Sequence, residues 1–340
     1  MTGTGAARPY RIIGVDSSPY TAKVRAVFRY RRIPHVWICR YAQILEETRG
    51  IRPALMPTVQ YPDGTYHTDS TPILVELETA GSSHRATLPP DPGQAFLSSV
   101  IEDLADEWLS KCLFWLRFGT ETAGRFAALW VMDDARAAGE GEDLEAEAEQ
   151  FRARQIARMP LVGATAENSG VLDWSLAHTL AALESFAGNE RFLFGSRPSI
   201  ADFGLYGQLR TISIDPTGLA RVRASAPRTE HWLRRLDDAS GVEGQWERAL
   251  APPAVEALLE LAGACYLPYL EANAKACEDG AARFEVETPA GLFGARPFPY
   301  HRKCLQSLRR AEADLPEPCR ERTRAMLAQT GCERAFLAPT

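Results

Sequence analysis

The chain has little with which to staple itself or hold a metal. Its seven cysteines stand at 39, 112, 265, 277, 304, 319 and 332, and no two have C-x-x-C spacing. An odd, scattered set argues against a disulfide framework or zinc site and for a reducing compartment. The six histidines are equally dispersed and form no H-E-x-x-H run, so no metal site is expected. No apolar run reaches the roughly 20 residues that cross a bilayer. Residues 1–7 lack the apolar core of a signal peptide, so a cytoplasmic protein with no membrane partner is expected. Positive charge is not in excess: 38 Lys and Arg stand against 44 Asp and Glu, a net charge of −6. That excludes a general attraction for nucleic acid. The basic cluster Arg29-Tyr30-Arg31-Arg32 reads as a solvated helix face. No internal repeat and no long low-complexity segment is present.

What is present is ordinary globular composition, 45% hydrophobic and 24% charged over 340 residues. The length suggests two or three domains. The stretch that organises the chain is Ser18-Pro19-Tyr20-Thr21. Before it, Tyr10 to Asp16 is β-branched and bounded by Gly and Asp, the pattern of a buried strand. After it, Ala22 to Tyr30 places apolar residues at helical spacing between basic ones. Serine followed by proline is a favoured helix start, because proline needs no N–H there and serine caps the free donors. A hydroxyl thus sits at a helix N-terminus, where negative charge is favoured.

Down to residue 80, short β-rich runs alternate with helical ones. His35 to Cys39 reads as a second strand, parallel to the first because a helix intervenes. A short helical stretch, 43–50, follows. Runs 57–61 and 65–67 flank Pro62-Asp63-Gly64, where proline presets φ and glycine takes the positive φ of a hairpin turn. Asp69 to Glu78 is a capped helix with proline in its first turn. The order βαβ then αββα is the thioredoxin-like layout.

The Pro-rich break Leu88-Pro89-Pro90-Asp91-Pro92-Gly93 gives the boundary, with an α/β domain over 8–88, an all-helical domain over 92–248 and a mostly helical extension over 249–340. A long helix is expected over 95–118 and others over 171–187, 227–236 and 254–265. The acidic segment 139–150 reads as a solvated loop leading into a helix. Ser199-Ile200-Ala201-Asp202 spells a capping box, with serine and aspartate each reaching the other's backbone. In the extension, 283–288 alternates like a half-exposed strand, Gly and Pro crowd 289–299, and helices are expected over 300–312 and 317–329. The stiff segment Pro297-Phe298-Pro299-Tyr300-His301 is expected to pack onto the helical domain.

These residues resemble the soluble glutathione transferase superfamily. The likeness is carried by Ser17-Ser18-Pro19-Tyr20 with Lys23-Val24-Arg25, by Arg52-Pro53 leading to Met56-Pro57, and by Asp69-Ser70. It continues in Phe192-Leu193-Phe194-Gly195 with the capping box at 199–202, and in Ala226-Pro227 with Trp232. The features stand in the family's order and spacing over roughly 10–240; the last 90 or so residues lie outside its usual length.

The resemblance implies a thioredoxin-like α/β domain that binds glutathione, followed by an all-α glutathione-transferase domain. It implies a cis proline at Met56-Pro57, whose methionine lends its backbone to the cysteinyl part of glutathione. It implies that Asp69 receives the γ-glutamyl ammonium while Ser70 and nearby amides hold the carboxylate. Ser18 matches the activating hydroxyl of the serine-type classes, with Ser17 as a neighbouring alternative. Both positions that hold thiols in redox relatives are hydroxyls here, Ser18 and Thr21, which argues against disulfide exchange. Glutathione is then the co-substrate, no metal is involved, and the second substrate is a hydrophobic electrophile beside the helix 95–118. Trp108, Trp115, Phe118 and Arg117 are candidates to line its site, though aromatics at helical spacing more often belong to a core and such an arginine more often to the exposed surface. A homodimer is implied. The rival readings are a non-catalytic protein of this fold acting through its extension, and a glutathione-dependent isomerase or dehalogenase.

Overall fold

The computed structural model describes residues 8–40, 44–80, 85–136, 143–189 and 191–337. Its first part is a four-stranded sheet in the order β2-β1-β3-β4. Strand β1 (Tyr10–Ile13) runs parallel to β2 (His35–Ile38) and antiparallel to β3 (Thr58–Gln60), which pairs antiparallel with β4 (Tyr66–Thr68). Helix α1 (Pro19–Tyr30) makes the parallel crossover, α2 (Leu45–Thr48) is a single turn, and α3 (Ser70–Ala80) follows the hairpin. Gly64 takes φ +94° in the hairpin turn, a conformation open to glycine at little cost. This is the expected thioredoxin-like layout. Gln43 and residues 139–142 of the acidic segment lie outside the described residues; helix starts again at Leu144.

The helical part begins with α4 (Pro92–Asp103), continues without a break through a π-helical turn at Leu104–Leu109, and ends as α5 (Ser110–Phe118). The expected helix over 95–118 is therefore one rod with a widened turn in it. Next come α6 (Glu121–Ala135), α7 (Leu144–Arg158), α8 (Ser169–Glu184), α9 (Ile200–Ile212), α10 (Pro216–Ser225) and α11 (Pro227–Asp237). Helix α9 is the hub. It is apolar nearly all round, so it is buried. Its start is fixed by the capping box: Ser199 Oγ accepts from the Asp202 amide, while Asp202 accepts from the amides of Ser199 (2.8 Å) and Leu193 (2.9 Å). A Cβ on Gly207 would come within 2.7 Å of the Pro19 carbonyl oxygen, so glycine lets α9 lie directly under the first turn of α1.

The extension is built into the same core. Helix α12 (Pro253–Leu261), a second π-helical turn (Ala262–Tyr266) and α13 (Leu267–Asp279) lead to a hairpin of β5 (Phe284–Thr288) and β6 (Gly291–Ala295). Helices α14 (Pro299–Ala313) and α15 (Cys319–Gln329) follow. Tyr269 and Phe293 pack on Trp108 with ring centroids at 5.4 and 4.8 Å, and Trp108 is wholly buried. One continuous hydrophobic cluster runs from Ile12 in β1 to Ala335.

Candidate active site

The turn between β1 and α1 is held from all sides. Asp16 accepts from Arg25 (2.6 Å) and Arg210 (2.9 Å), and these partners keep its carboxyl below the ordinary range against the opposing effect of burial. The Ser17 amide donates to Asp134 (3.1 Å), and its carbonyl accepts from Arg117 (3.0 Å), which is itself paired with Asp215 (2.7 Å). Ser17 is buried; Ser18 is the N-cap of α1, at φ −86° and ψ 122°, with its Oγ accepting from the Thr21 amide at 3.3 Å. Accepting a bond uses a lone pair, so the Ser18 hydroxyl proton stays free to donate.

Ser18 opens onto a cavity of about 820 Å³, within the range of about 300–1,000 Å³ usual for small-molecule sites. Met56, Asp69 and Ser70 line the same cavity. The Met56–Pro57 peptide is cis, and Met56 Sδ accepts from the Val15 amide at 3.4 Å. Asp69 has φ +75°, an uncommon left-handed conformation for a residue with a side chain, and Ser70 is the first residue of α3. The cluster expected from the sequence is thus assembled at one end of the cavity.

Beneath Ser70 lies a cation the sequence does not announce. Lys23 is fully buried and pairs with Asp106 (2.7 Å) and Glu102, while donating to the hydroxyls of Ser70 (3.5 Å) and Thr71 (3.4 Å). Burial alone would lower its pKa, but the two carboxylates raise it above the ordinary lysine range. In sequence it looks like a solvated basic residue of an amphipathic helix.

The widened turn of the long helix brings Asp103, Asp106 and Glu107 to the cavity wall. Burial pushes all of these carboxyls upward, and their mutual repulsion adds to it. Asp69 is raised by the same two causes, with Glu107 as the repelling neighbour. The apolar end is formed by Leu113, Phe114, Phe118, Val131 and Phe151. Of the aromatic candidates only Phe118 lines the cavity. Trp108 is core, its indole N–H donating to Ser175 (3.0 Å), and Trp115 packs at the core's edge. Arg117 reaches the cavity wall but is committed to Asp215 and the Ser17 carbonyl, so it braces the Ser18 turn.

The extension closes the opposite side. Phe298, Tyr300, Lys303, Cys304 and Ser307 line the cavity. The Asn273 side chain fixes the entry to α14, accepting from the Phe298 amide (2.7 Å) and donating to its carbonyl (3.1 Å). Tyr300 donates to Asp69 Oδ2 at 3.0 Å. The segment 297–301, expected only to pack onto the helical domain, therefore also reaches the α/β part and the site.

A thioredoxin-like sheet joined to a helical bundle, with a polar cluster at a strand–helix turn between them, defines the class. A family model described as the glutathione S-transferase N-terminal domain matches residues 17–80, and one described as the C-terminal domain matches 175–235. Those two matches, over 125 of the 340 residues, are to the two domains of the glutathione S-transferase family. Among solved structures it is similar to the β-etherase LigF of Sphingobium sp. strain SYK-6, at 16% identity and TM-score 0.48, covering 74% of this chain and 99% of that one. It is similar to a Tau class glutathione S-transferase of mango, Mangifera indica, at 16% identity and TM-score 0.43, covering 74% and 97%. It is also similar to a rice glutathione S-transferase solved with glutathione, at 17% identity and TM-score 0.40, covering 68% and 88%. No curated protein is matched. No helix among the described residues is long and apolar enough to cross a membrane.

Proposed function

We propose that the protein is a glutathione transferase in which Ser18 steadies the thiolate of glutathione for attack on a hydrophobic electrophile. Glutathione supplies the nucleophilic sulfur. The chain's own residues supply its setting: Met56 backbone for the cysteinyl part, Ser70 and the start of α3 for the γ-glutamyl carboxylate, Asp69 for the ammonium. The apolar end at Phe114, Phe118 and Phe151 takes the electrophile.

The observation that carries this reading is the placement of Ser18 at the N-cap of α1 with its proton free and its side chain on the cavity. Making a thiol of pKa about 8.5 mostly ionised near neutrality takes about two units, or about 2.7 kcal/mol. A hydrogen bond to a charged acceptor contributes about 1.5–3 kcal/mol, and a helix N-terminus about 0.3–1. Together they suffice without a charged base. The extension lines the cavity, which favours an enzyme over a protein that uses the extension solely to recruit a partner.

The test is Ser18→Ala assayed with glutathione and a chromogenic aryl halide. Binding of glutathione should persist while turnover falls by about a hundredfold, the loss of one charge-assisted hydrogen bond to the thiolate. Turnover at the wild-type rate removes Ser18 from the mechanism.

A further inference from the structure

The cavity is zoned by charge. Its carboxylates stand at the widened turn and the start of α3, and Arg117 is spent on Asp215 and the Ser17 carbonyl. Two further cations line it, Arg158 of α7 and Lys303 of α14, and neither has an ion pair or side-chain hydrogen bond among the described residues. Lys303 lies one turn along α14 from Tyr300, which donates to Asp69, so it belongs to the glutathione end. Arg158 belongs to the other end. Phe151, Gln155 and Arg158 all line the cavity, and at helical spacing they share one face of α7.

Along that face the lining changes from apolar to basic. Phe151 packs with Phe114 against the cluster around Phe118. Two turns further on, Arg158 is exposed at the edge of the cavity, in the last turn of α7. Long helical side chains lean toward the N-terminus of their helix, so the Arg158 stem is directed back past Gln155 toward the phenyl rings. Complementing the α7 dipole there needs charge alone, and the five N–H donors of the guanidinium stay uncommitted within the described residues. The Gln155 amide is likewise without a partner among them. A ring seated among the phenylalanines would present a substituent to this planar fork. The group the fork matches is a carboxylate, held by two parallel hydrogen bonds.

We propose that Arg158, with Gln155 beside it, is the specificity-determining residue for the second substrate, and that this substrate is an aromatic electrophile carrying a carboxylate. The inference rests on the glutathione reading and deepens it: the electrophile is amphipathic, with an apolar body and an acidic edge. For an aryl halide, the glutathione sulfur bonds to the ring carbon that bears the halogen, and the halide departs with the bonding pair. The carboxylate keeps its charge throughout. Arg158 therefore meets the same group before and after transfer, and acts on binding rather than on the chemical step.

The test is calorimetric titration of the full-length chain with S-(4-carboxy-2-nitrophenyl)glutathione, with its carboxamide counterpart, and with S-methylglutathione. The first two are nearly isosteric and differ in the charge offered to Arg158. Wild type should bind the carboxylate conjugate about tenfold more tightly than the carboxamide, an exposed arginine contributing less than a buried one. Added salt should shrink that ratio. Arg158→Gln should bring it to within about twofold of unity, with S-methylglutathione bound as by wild type. Lys303→Gln should leave the ratio at its wild-type value. A wild-type ratio near unity, a ratio that survives Arg158→Gln, or one abolished by Lys303→Gln overturns the proposal, and binding of S-methylglutathione in the same experiment leaves the glutathione reading standing. Wild type that binds none of the three overturns both.

Discussion

The Tyr300 hydroxyl donates to Asp69 Oδ2 across 3.0 Å and 231 residues of chain. The bond ties the first turn of α14 to the residue just before α3, and Asp69 holds a left-handed backbone conformation there. Removing the hydroxyl leaves the ring and its packing in place. Tyr300→Phe is therefore expected to raise KM for glutathione by about three- to tenfold, less than a direct charge-assisted bond would cost, because the hydroxyl reaches the ligand only by holding Asp69. Its kcat should stay within about twofold, because Ser18 is untouched. Initial rates over a glutathione series decide this; a fall in kcat with unchanged KM contradicts it.

Truncation before residue 249 should not yield a smaller working enzyme. Trp108 is enclosed by Tyr266, Tyr269 and Phe293, with centroids at 6.4, 5.4 and 4.8 Å, and all of these partners belong to the extension. Each large apolar side chain contributes about 1.5–3 kcal/mol when buried, against a total stability of about 5–15. Chain 1–248 is expected to unfold without cooperativity, to bind hydrophobic dyes and to lose near-ultraviolet dichroism. A cooperative thermal transition in the truncated chain would show that the extension is an accessory.

Lys23→Met removes the buried cation that Asp106 and Glu102 share. Breaking a buried pair from one side leaves charge uncompensated and costs about 3–5 kcal/mol. Urea denaturation should show a loss of that order. A variant within about 1 kcal/mol of wild type would mean that the carboxylates are protonated in the native state.

Asp202 offers a pH test away from the cavity. Burial raises its pKa from 3.8 to about 6, although the bonds from Ser199 and Leu193 oppose the shift. A carboxyl whose folded pKa is raised costs nothing while both states hold the proton, so its effect is most favourable below pH about 4. Stability then falls as pH rises to about 6, because the folded state must ionise a buried group. The difference in unfolding free energy between wild type and Asp202→Asn should fall through this window by about 1.4 kcal/mol per pH unit and level off above it. A difference independent of pH would refute the assignment.

The parts of this fold that sequence reading reaches are those governed by neighbours in the chain. Pro62-Asp63-Gly64 specifies its turn, Ser18-Pro19 specifies a helix start, and Ser199 with Asp202 specifies a cap, because each partner lies within a few residues. Lys23 was not legible: its partners Glu102 and Asp106 lie 79 and 83 residues away, and a lysine between apolar residues looks like solvent-facing helix. The strand at 284–288 showed its alternation, but β6 was hidden among glycines, with Gly291 turning at φ +116°. The π-helical turn leaves no local signature, because its hydrophobic spacing differs from an α-helix by a fraction of a residue.

That turn has a consequence for how the cavity could be remodelled. Each residue of an α-helix advances the rod by about 100°. The π-helical turn between Leu104 and Leu109 accommodates one residue more than ordinary pitch needs, so excising a single position there would let the rod close to an α-helix with its downstream faces kept, where the same deletion elsewhere in the rod would swing them round. Phe114, Phe118 and the Arg117 that braces the Ser18 turn would then stay where they are while the acidic wall at Asp106 and Glu107 is redrawn, so the two ends of the cavity are separable by one codon.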